Sequence, residues 1–122
     1  MTVPEHPDSG PLAFEVLEEL RTLDSDGSML PGLVSTFRRD ATAKLAELRA
    51  VVRLGQPLEV GRLAHSLCGA ARTLGARHLA SAAKELQLAS RLSDAQEDER
   101  LLGVVARELA VALEALDRFL SR

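Results

Sequence analysis

Residues 28–54 read SMLPGLVSTFRRDATAKLAELRAVVRL. Apolar side chains recur in this segment every three or four residues, at Leu30, Val34, Phe37, Ala41, Leu45, Leu48 and Val52. That spacing places them on one face of an α-helix. Pro31 stands in the first turn, where its missing N–H is harmless, and the tripeptide GQP at 55–57 ends the pattern. The segment therefore predicts one long amphipathic helix.

The same periodicity predicts four other helices along the chain. They span about residues 12–23, 57–74, 76–92 and 93 to almost 122. The stripes predicted to face the core are Leu12, Val16, Leu17, Leu20 and Leu23 in the first helix; Val60, Leu63, Ala64, Leu67, Ala71 and Leu74 in the third; Leu79, Ala82, Ala83, Leu86 and Ser90 in the fourth; and Leu102, Val105, Leu109, Leu113, Leu116 and Leu120 in the fifth. The sequence DSDG at 24–27 separates the first helix from the long one. Gly75 is placed to cap the third helix, and Ser93 with Gln96 resembles a capping box that starts the fifth. Residues 1–10 hold two prolines and predict a flexible lead-in.

Composition and connection lengths together predict the fold class. The 122 residues are the length of one domain, and they include 23 Leu and 18 Ala but no Ile, Trp or Tyr. Such a composition favours helices over strands. Helices joined by short loops pack as antiparallel neighbours. We therefore expect an all-α fold over residues 11–122. We expect this fold to be an up-and-down antiparallel four-helix bundle, with the short first helix lying across one end.

Several classes of function are excluded by composition. The net charge is −3 and aromatic residues make up 2 %, which argues against a nucleic-acid partner. No apolar run reaches the roughly 20 residues of a membrane span. A single Cys and the absence of a basic-then-apolar N-terminus predict a cytoplasmic protein. One Cys and three scattered His argue against structural zinc, and no phosphate-binding loop or acidic metal cluster for ATP is present.

His65 is the residue that stands out chemically. On a helical wheel of the third helix it projects roughly 140° away from the apolar stripe, and Cys68 lies on the flank of that stripe. Gly69 follows His65 by one turn, on the outer face. A glycine in mid-helix costs about 1 kcal/mol relative to Ala. One explanation of Gly69 is access, because a bare patch beside a nucleophile would let a reacting group on another protein approach. The other explanation is close packing between helices, but that would require Gly69 to face inward.

The fourth helix carries polar side chains that can meet His65. Lys84, Gln87 and Arg91 share one face of this helix. If the two helices pack antiparallel across Gly75, residues at similar distances from the turn come together. Gln87 can then hydrogen-bond one imidazole nitrogen of His65 and leave the other free to react.

At these positions the sequence resembles the histidine-containing phosphotransfer (HPt) domain family. The signature of that family is H-x-L-K-G, followed by a Leu-Gly pair. The matching segments are HSLCG at 65–69, TLGA at 73–76, Leu79 and the Leu86-Gln87 pair. The resemblance extends over about residues 11–121, and its specific part is 64–91.

The resemblance implies a reaction and its partners. HPt domains accept a phosphoryl group from the aspartyl phosphate of one receiver domain and pass it to an Asp of another. His65 would be the phosphorylated residue, Gln87 would orient its imidazole, and Gly69 would leave access. The receivers would belong to a hybrid sensor kinase or a response regulator. Mg²⁺ would be carried by the receiver, so that this phosphocarrier needs no cofactor and is not an enzyme in its own right.

One position departs from the family pattern. Cys68 stands where the family usually has a Lys, which offers positive charge to the phosphoryl oxygens. Its loss should weaken stabilisation of the transfer unless another cation substitutes. The candidates are Arg72, Lys84 and Arg91. Arg72 shares the helix face of His65 but is two turns away, about 10 Å along the helix. Arg91 is the better placed if the two helices pack as proposed, and we expect Arg72 or Arg91 to supply the charge. Cys68 itself is interpreted as a small neutral replacement rather than a redox-sensitive thiol.

Two further hypotheses follow from the same residues. Cys68 also allows a phosphorylation-incompetent docking module that binds a receiver or another regulatory protein through the same face. A modest apolar ring around His65 is expected for docking, with Gly61, Ala76, Ala80 and Leu88 as its candidates. His78 has no partner pattern, and His6 is expected to be solvent-exposed in the N-terminal tail. The initial Met favours a free-standing protein, although a domain excised from a hybrid kinase would look alike.

Overall fold

A computed structural model describes residues 10–122, and within that range the chain is all-helical with no strand. The five helices are α1 (Phe14–Leu23), α2 (Met29–Arg53), α3 (Pro57–Thr73), α4 (Arg77–Ser90) and α5 (Ala95–Leu120). The predicted lead-in falls on residues 1–9, outside the described residues, except for Gly10. Gly10 is buried, and its carbonyl oxygen accepts a 2.7 Å hydrogen bond from Arg77 Nε.

The four longer helices enclose the core. α2 contacts α3 and α5, and α4 contacts the same two helices, so that each helix has two neighbours. Every apolar residue predicted for the stripe of α2 is buried, as are the stripes predicted for α3 and α4. In α5 the predicted residues are buried except Leu113 and Leu120, which are partly buried and pack against the core. The helical periodicity of the sequence therefore locates the core correctly.

The turn between α3 and α4 follows from the chemistry of Gly75. Its φ of +68° lies in the left-handed region that favours glycine. The Gly75 N–H donates to the Arg72 carbonyl at 3.0 Å, and the Ala76 N–H donates to the Ala71 carbonyl at 2.8 Å. This is the hydrogen-bond pattern of a Schellman cap, as the sequence predicted. The turn fixes how α4 returns along α3.

The start of α5 differs from the sequence prediction by one residue. Asp94, not Ser93, is the N-cap, and its side chain accepts hydrogen bonds from the Gln96 and Glu97 N–H groups. Ser93 instead adopts a φ of +54° and belongs to the preceding turn. Both residue types cap helices well, and the backbone conformation of the turn decides between them.

The short helix α1 lies where the α3–α4 turn and the C-terminus of α5 come together. The Ala13 N–H donates to the Gly75 carbonyl at 2.7 Å. The Phe14 and Phe119 rings are 6.2 Å apart, and the Arg21 guanidinium lies 4.2 Å from the centre of the Phe119 ring. These contacts anchor α1 across that end of the molecule.

Cys68, on the flank of the predicted α3 stripe, is 3 % exposed and belongs to the core, because α3 packs against α4 as well as α2 and so buries a wider arc than its stripe. Two predictions of exposure or burial were wrong. Ala76 and Ala80, predicted for an exposed apolar ring, are buried near the end that α1 covers. Leu23, predicted to continue the stripe of α1, is the last residue of that helix and is exposed.

Candidate functional site

His65 lies in an open groove between α3 and α4. The groove has a volume of about 450 Å³ and extends to the turn that precedes α5. Its lining is formed by Pro57, Leu58, Gly61, Arg62, His65, Gln87, Ser90, Arg91 and Ser93. The His65 side chain is exposed, as the helical wheel predicted. The structure therefore brings together three of the predicted site residues, namely His65, Gln87 and Arg91.

Gln87 supplies an unused polar atom to this groove. The residue is partly buried, and its Oε1 atom is buried without a hydrogen-bond partner. Among residues 10–122 no hydrogen bond joins Gln87 to His65, so the predicted contact is not made in this conformation. An unsatisfied buried acceptor is unfavourable. An imidazole N–H that rotated towards Gln87 would satisfy it.

A close approach of α3 and α4 shapes one end of the groove. A Cβ placed on Gly61 would lie 3.1 Å from Ser90 Oγ, tighter than ordinary contact. Ser90 is buried, and its hydroxyl donates a 2.7 Å hydrogen bond to the Gln87 carbonyl oxygen. This contact holds the last turn of α4, and with it Arg91, against the turn of α3 that precedes His65.

Gly69 lies on the opposite side of His65 and is exposed. A Cβ placed at this position meets no heavy atom within 4 Å. Helix packing therefore does not explain this glycine. A side chain at position 69 would reduce the open surface beside the imidazole.

Two arginines line the groove, and only one of them was identified from the sequence. Arg91 is exposed, and within the described part of the chain its side chain makes no ion pair or hydrogen bond. Arg62, which the sequence pattern did not single out, donates to Glu59 Oε2 from Nη2 at 2.8 Å and from Nε at 3.1 Å. The hydrogen bond from Arg62, and then its charge, holds the pKa of the Glu59 carboxyl below its ordinary value. Arg62 precedes His65 by three residues and shares its helix face, and this spacing could have identified Arg62 from the sequence.

The other two predicted cations lie elsewhere. Arg72 and Lys84 line a second groove, together with Gly75 and residues near the start of α1. That groove does not include His65. Cys68 is buried in the core and offers no charge to the His65 groove. The structure thus separates Arg91 from Arg72 and Lys84, the other two predicted cations.

Exposed leucines lie in the groove or next to its lining residues, but they differ from the predicted ring. Leu58 lines the groove and is 88 % exposed. Leu92, between the lining residues Arg91 and Ser93, is 78 % exposed, and Leu88, next to Gln87, is exposed as well. Of the predicted ring, Leu88 is exposed and Gly61 is partly exposed, while both alanines are buried. Exposed leucines of this kind are suited to contact with another protein.

His78 does not line this groove. It lies on α4, with Nδ1 4.0 Å from Glu108 Oε2, and His6 falls outside the described residues. Within residues 10–122 no three His, Cys, Asp or Glu side chains are grouped so that they could hold a metal ion. None of the helices in this range has the length and apolar character needed to cross a membrane.

A family model and a solved structure match this chain. A family model described as Hpt domain matches residues 32–119. No curated protein matches the sequence. Among solved structures, the chain is similar to histidine-containing phosphotransfer protein B (HptB) from Pseudomonas aeruginosa PAO1, with a TM-score of 0.84 and 28 % identity. The match covers 93 % of this chain and 97 % of that one. The chain therefore belongs to the HPt domain family, whose members are phosphocarriers of two-component phosphorelays.

Proposed function

We propose that this protein carries a phosphoryl group on His65 between receiver domains of a phosphorelay. The observation that supports this most is the position of His65. It is exposed in a groove with Gln87 and Arg91, and Gly69 leaves the opposite side open. A nucleophile that must react with a group on another protein needs this combination of exposure and neighbours.

The proposed reaction is an exchange of one bond to phosphorus for another. A lone pair on the neutral imidazole of His65 attacks the phosphorus of an aspartyl phosphate, and a P–N bond forms. The P–O bond to the aspartyl group breaks, and its electron pair leaves with the carboxylate. The other imidazole nitrogen keeps its proton, and Gln87 accepts a hydrogen bond from it. Transfer onwards reverses these steps at an Asp of a second receiver.

The partners in this proposal are receivers of a hybrid sensor kinase or a response regulator. Docking would use the leucine-bordered face around His65. The receiver would bring the Mg²⁺, and this chain would act without a cofactor, ATP or kinase activity of its own. A cytoplasmic location and a single domain over residues 11–122 are part of the same proposal. So is the up-and-down antiparallel order of α2 to α5, which the short connections and the helix contacts favour.

A second candidate function is a docking module that no longer transfers phosphate. The observation that favours it is Cys68, a buried neutral residue at the position of the family's usual Lys. Such a module would bind a receiver through the same face and leave His65 unmodified. Labelling of His65 separates the two functions.

The test is transfer from phosphorylated receiver domains to the purified protein. We expect the wild-type protein to take an acid-labile, base-stable label, as a phosphohistidine does. His65→Gln should abolish the label. His78→Gln is the matched control, because it removes another exposed histidine outside the groove, and it should leave labelling unchanged.

Two results would contradict the proposal. Labelling that persists in His65→Gln would place the phosphoryl group on another residue. Binding of receivers without any labelling of the wild-type protein would support the docking module.

A further inference from the structure

We infer that Arg91 contacts the phosphoryl group on His65 and supplies the positive charge that Cys68 does not provide. This inference rests on the proposed function of His65. It assigns one residue among the cations that the sequence left open, and places the contact on α4 instead of on the helix that carries the histidine.

The position of Arg91 distinguishes it from the other cations. Arg91 and His65 line the same groove, whereas Arg72 and Lys84 line the second groove near α1. The two grooves lie at different ends of the α3–α4 pair, because one includes the start of α3 and the other includes Gly75. A phosphoryl group on His65 therefore shares its groove with Arg91, and with neither Arg72 nor Lys84.

The electrostatic surroundings favour Arg91 over Arg62 within the groove. Arg62 is paired with Glu59, whose carboxylate would repel a phosphoryl group brought close to it. Arg91 has no such partner among residues 10–122, and its guanidinium is free to donate to phosphoryl oxygens. Guanidinium groups bind phosphate oxygens with short, charge-assisted hydrogen bonds.

The backbone around Arg91 is held in place by the close contact between Gly61 and Ser90. Arg91 is the C-cap residue of α4, directly after Ser90. Ser90 is buried against Gly61, which lies one turn before His65 on α3. The small residues at 61 and 90 thus keep Arg91 close to the turn that carries His65. The backbone of Arg91 is therefore held at the groove in which negative charge on the transferring group must be stabilised.

The first readout is the ionisation of the phosphoryl group, which needs no receiver. Histidines are phosphorylated chemically with potassium phosphoramidate, and the ³¹P resonance of His65 is assigned by its absence in His65→Gln. A nearby guanidinium stabilises the dianion and lowers the phosphoryl pKa. We expect Arg91→Gln to raise that pKa and Arg91→Lys to keep it near the wild-type value. Arg72→Gln and Lys84→Gln are the matched controls and should titrate like the wild-type protein.

The second readout is the rate of transfer from a phosphorylated receiver domain. Loss of a charge-assisted contact in the transition state should slow transfer about tenfold or more in Arg91→Gln. Arg91→Lys should recover much of the rate, and the two control variants should match the wild-type protein. Circular dichroism of each variant establishes that the helices are intact.

Failure of this inference is distinguishable from failure of the proposed function. If Arg91→Gln titrates and transfers like the wild-type protein, or if Arg72→Gln has an equal effect, the assignment of Arg91 is wrong. If no receiver labels the wild-type protein, the proposed function is wrong. The ³¹P titration would then still decide whether Arg91 contacts a phosphoryl group on His65.

Discussion

Gly69 is exposed on α3 one turn after His65, and no part of the protein between residues 10 and 122 packs against it. A helix interior position with these properties ordinarily favours Ala, which is more stable there by about 1 kcal/mol. The less stable residue at this position is explained if a receiver needs the space. Replacement of Gly69 by a larger residue should therefore raise the stability of the protein and lower its rate of phosphoryl transfer.

We expect Gly69→Ala to raise the free energy of unfolding by about 1 kcal/mol and to slow phosphoryl transfer. Gly103→Ala is the matched control, because Gly103 is also exposed and helical, and a Cβ added there would meet no heavy atom within 4 Å. It should stabilise the protein to a similar extent without slowing transfer. Denaturant unfolding and the receiver assay measure the two effects. Equal transfer by both variants would show that access at position 69 is not limiting.

Asp98 is a second residue whose chemistry conflicts with its position. It is 5 % exposed in the first turns of α5, and its Oδ1 atom is buried without a hydrogen-bond partner. Burial, and then the charges of Asp94 and Glu97, raise the pKa of this carboxyl above its ordinary value. The ionised form is therefore less favourable in the folded chain than in the unfolded chain.

We expect Asp98→Asn to raise the melting temperature at pH 7. A carboxyl with a raised native pKa binds its proton more tightly in the folded state, so its destabilising effect disappears as the pH falls through that pKa. The gain in melting temperature should therefore shrink towards acidic pH. Thermal unfolding across a pH series measures this. Asp40→Asn, at an exposed site on α2, controls for the loss of one negative charge. A gain that is independent of pH would contradict the explanation.

Among the helical elements, the turn at Gly75 links the bundle to α1. A Cβ on Gly75 would lie 3.0 Å from the Ala13 carbonyl oxygen and 3.2 Å from Val16 Cβ. Gly55, in the turn after α2, has a similar φ of +66° but open space around it. The two glycines therefore differ chiefly in whether α1 packs against them.

We expect Gly55→Ala to reduce the free energy of unfolding by about 1 kcal/mol, through backbone strain alone. Gly75→Ala should reduce it by more, because the added methyl also displaces the first turn of α1. Hydrogen exchange should detect faster exchange of the α1 amides in Gly75→Ala and not in Gly55→Ala. Equal exchange of α1 in both variants would show that α1 does not depend on this contact.

At the same scale, the sequence predicts the helices well because their signals are local. Apolar spacing and the glycine after each of α2 and α3 are properties of neighbouring residues, and they locate these helices to within about a turn. The N-cap of α5 was misplaced by one residue because Ser93 and Asp94 both suit the role. The burial of Cys68, Ala76 and Ala80 was missed because it depends on which other helices pack nearby.

At the scale of the whole molecule, the site could be predicted only in part, because a helical wheel describes one helix at a time. The wheel predicts that His65 is exposed, and the antiparallel pairing predicts that Gln87 and Arg91 are near it; the structure shows an exposed His65 that lines one groove with both. Arg72 shares the wheel face of His65, but it is two turns away and lines the other groove. Arg62 was missed although it lies one turn before His65 on the same helix. The exposed Leu58 and Leu92 were missed because their relation to His65 depends on how α3, α4 and the following turn form one surface.

The most direct test of whether the whole molecule is a carrier is transfer of the phosphoryl group from His65 to a second receiver. Protein labelled by one phosphorylated receiver is separated from that donor and mixed with a second, unphosphorylated receiver and Mg²⁺. We predict that the label leaves the protein and appears on the acceptor Asp of the second receiver. A receiver with Asn in place of that Asp should take none. If the label stays on His65, or is lost only to water with every receiver that binds, the protein is not a carrier.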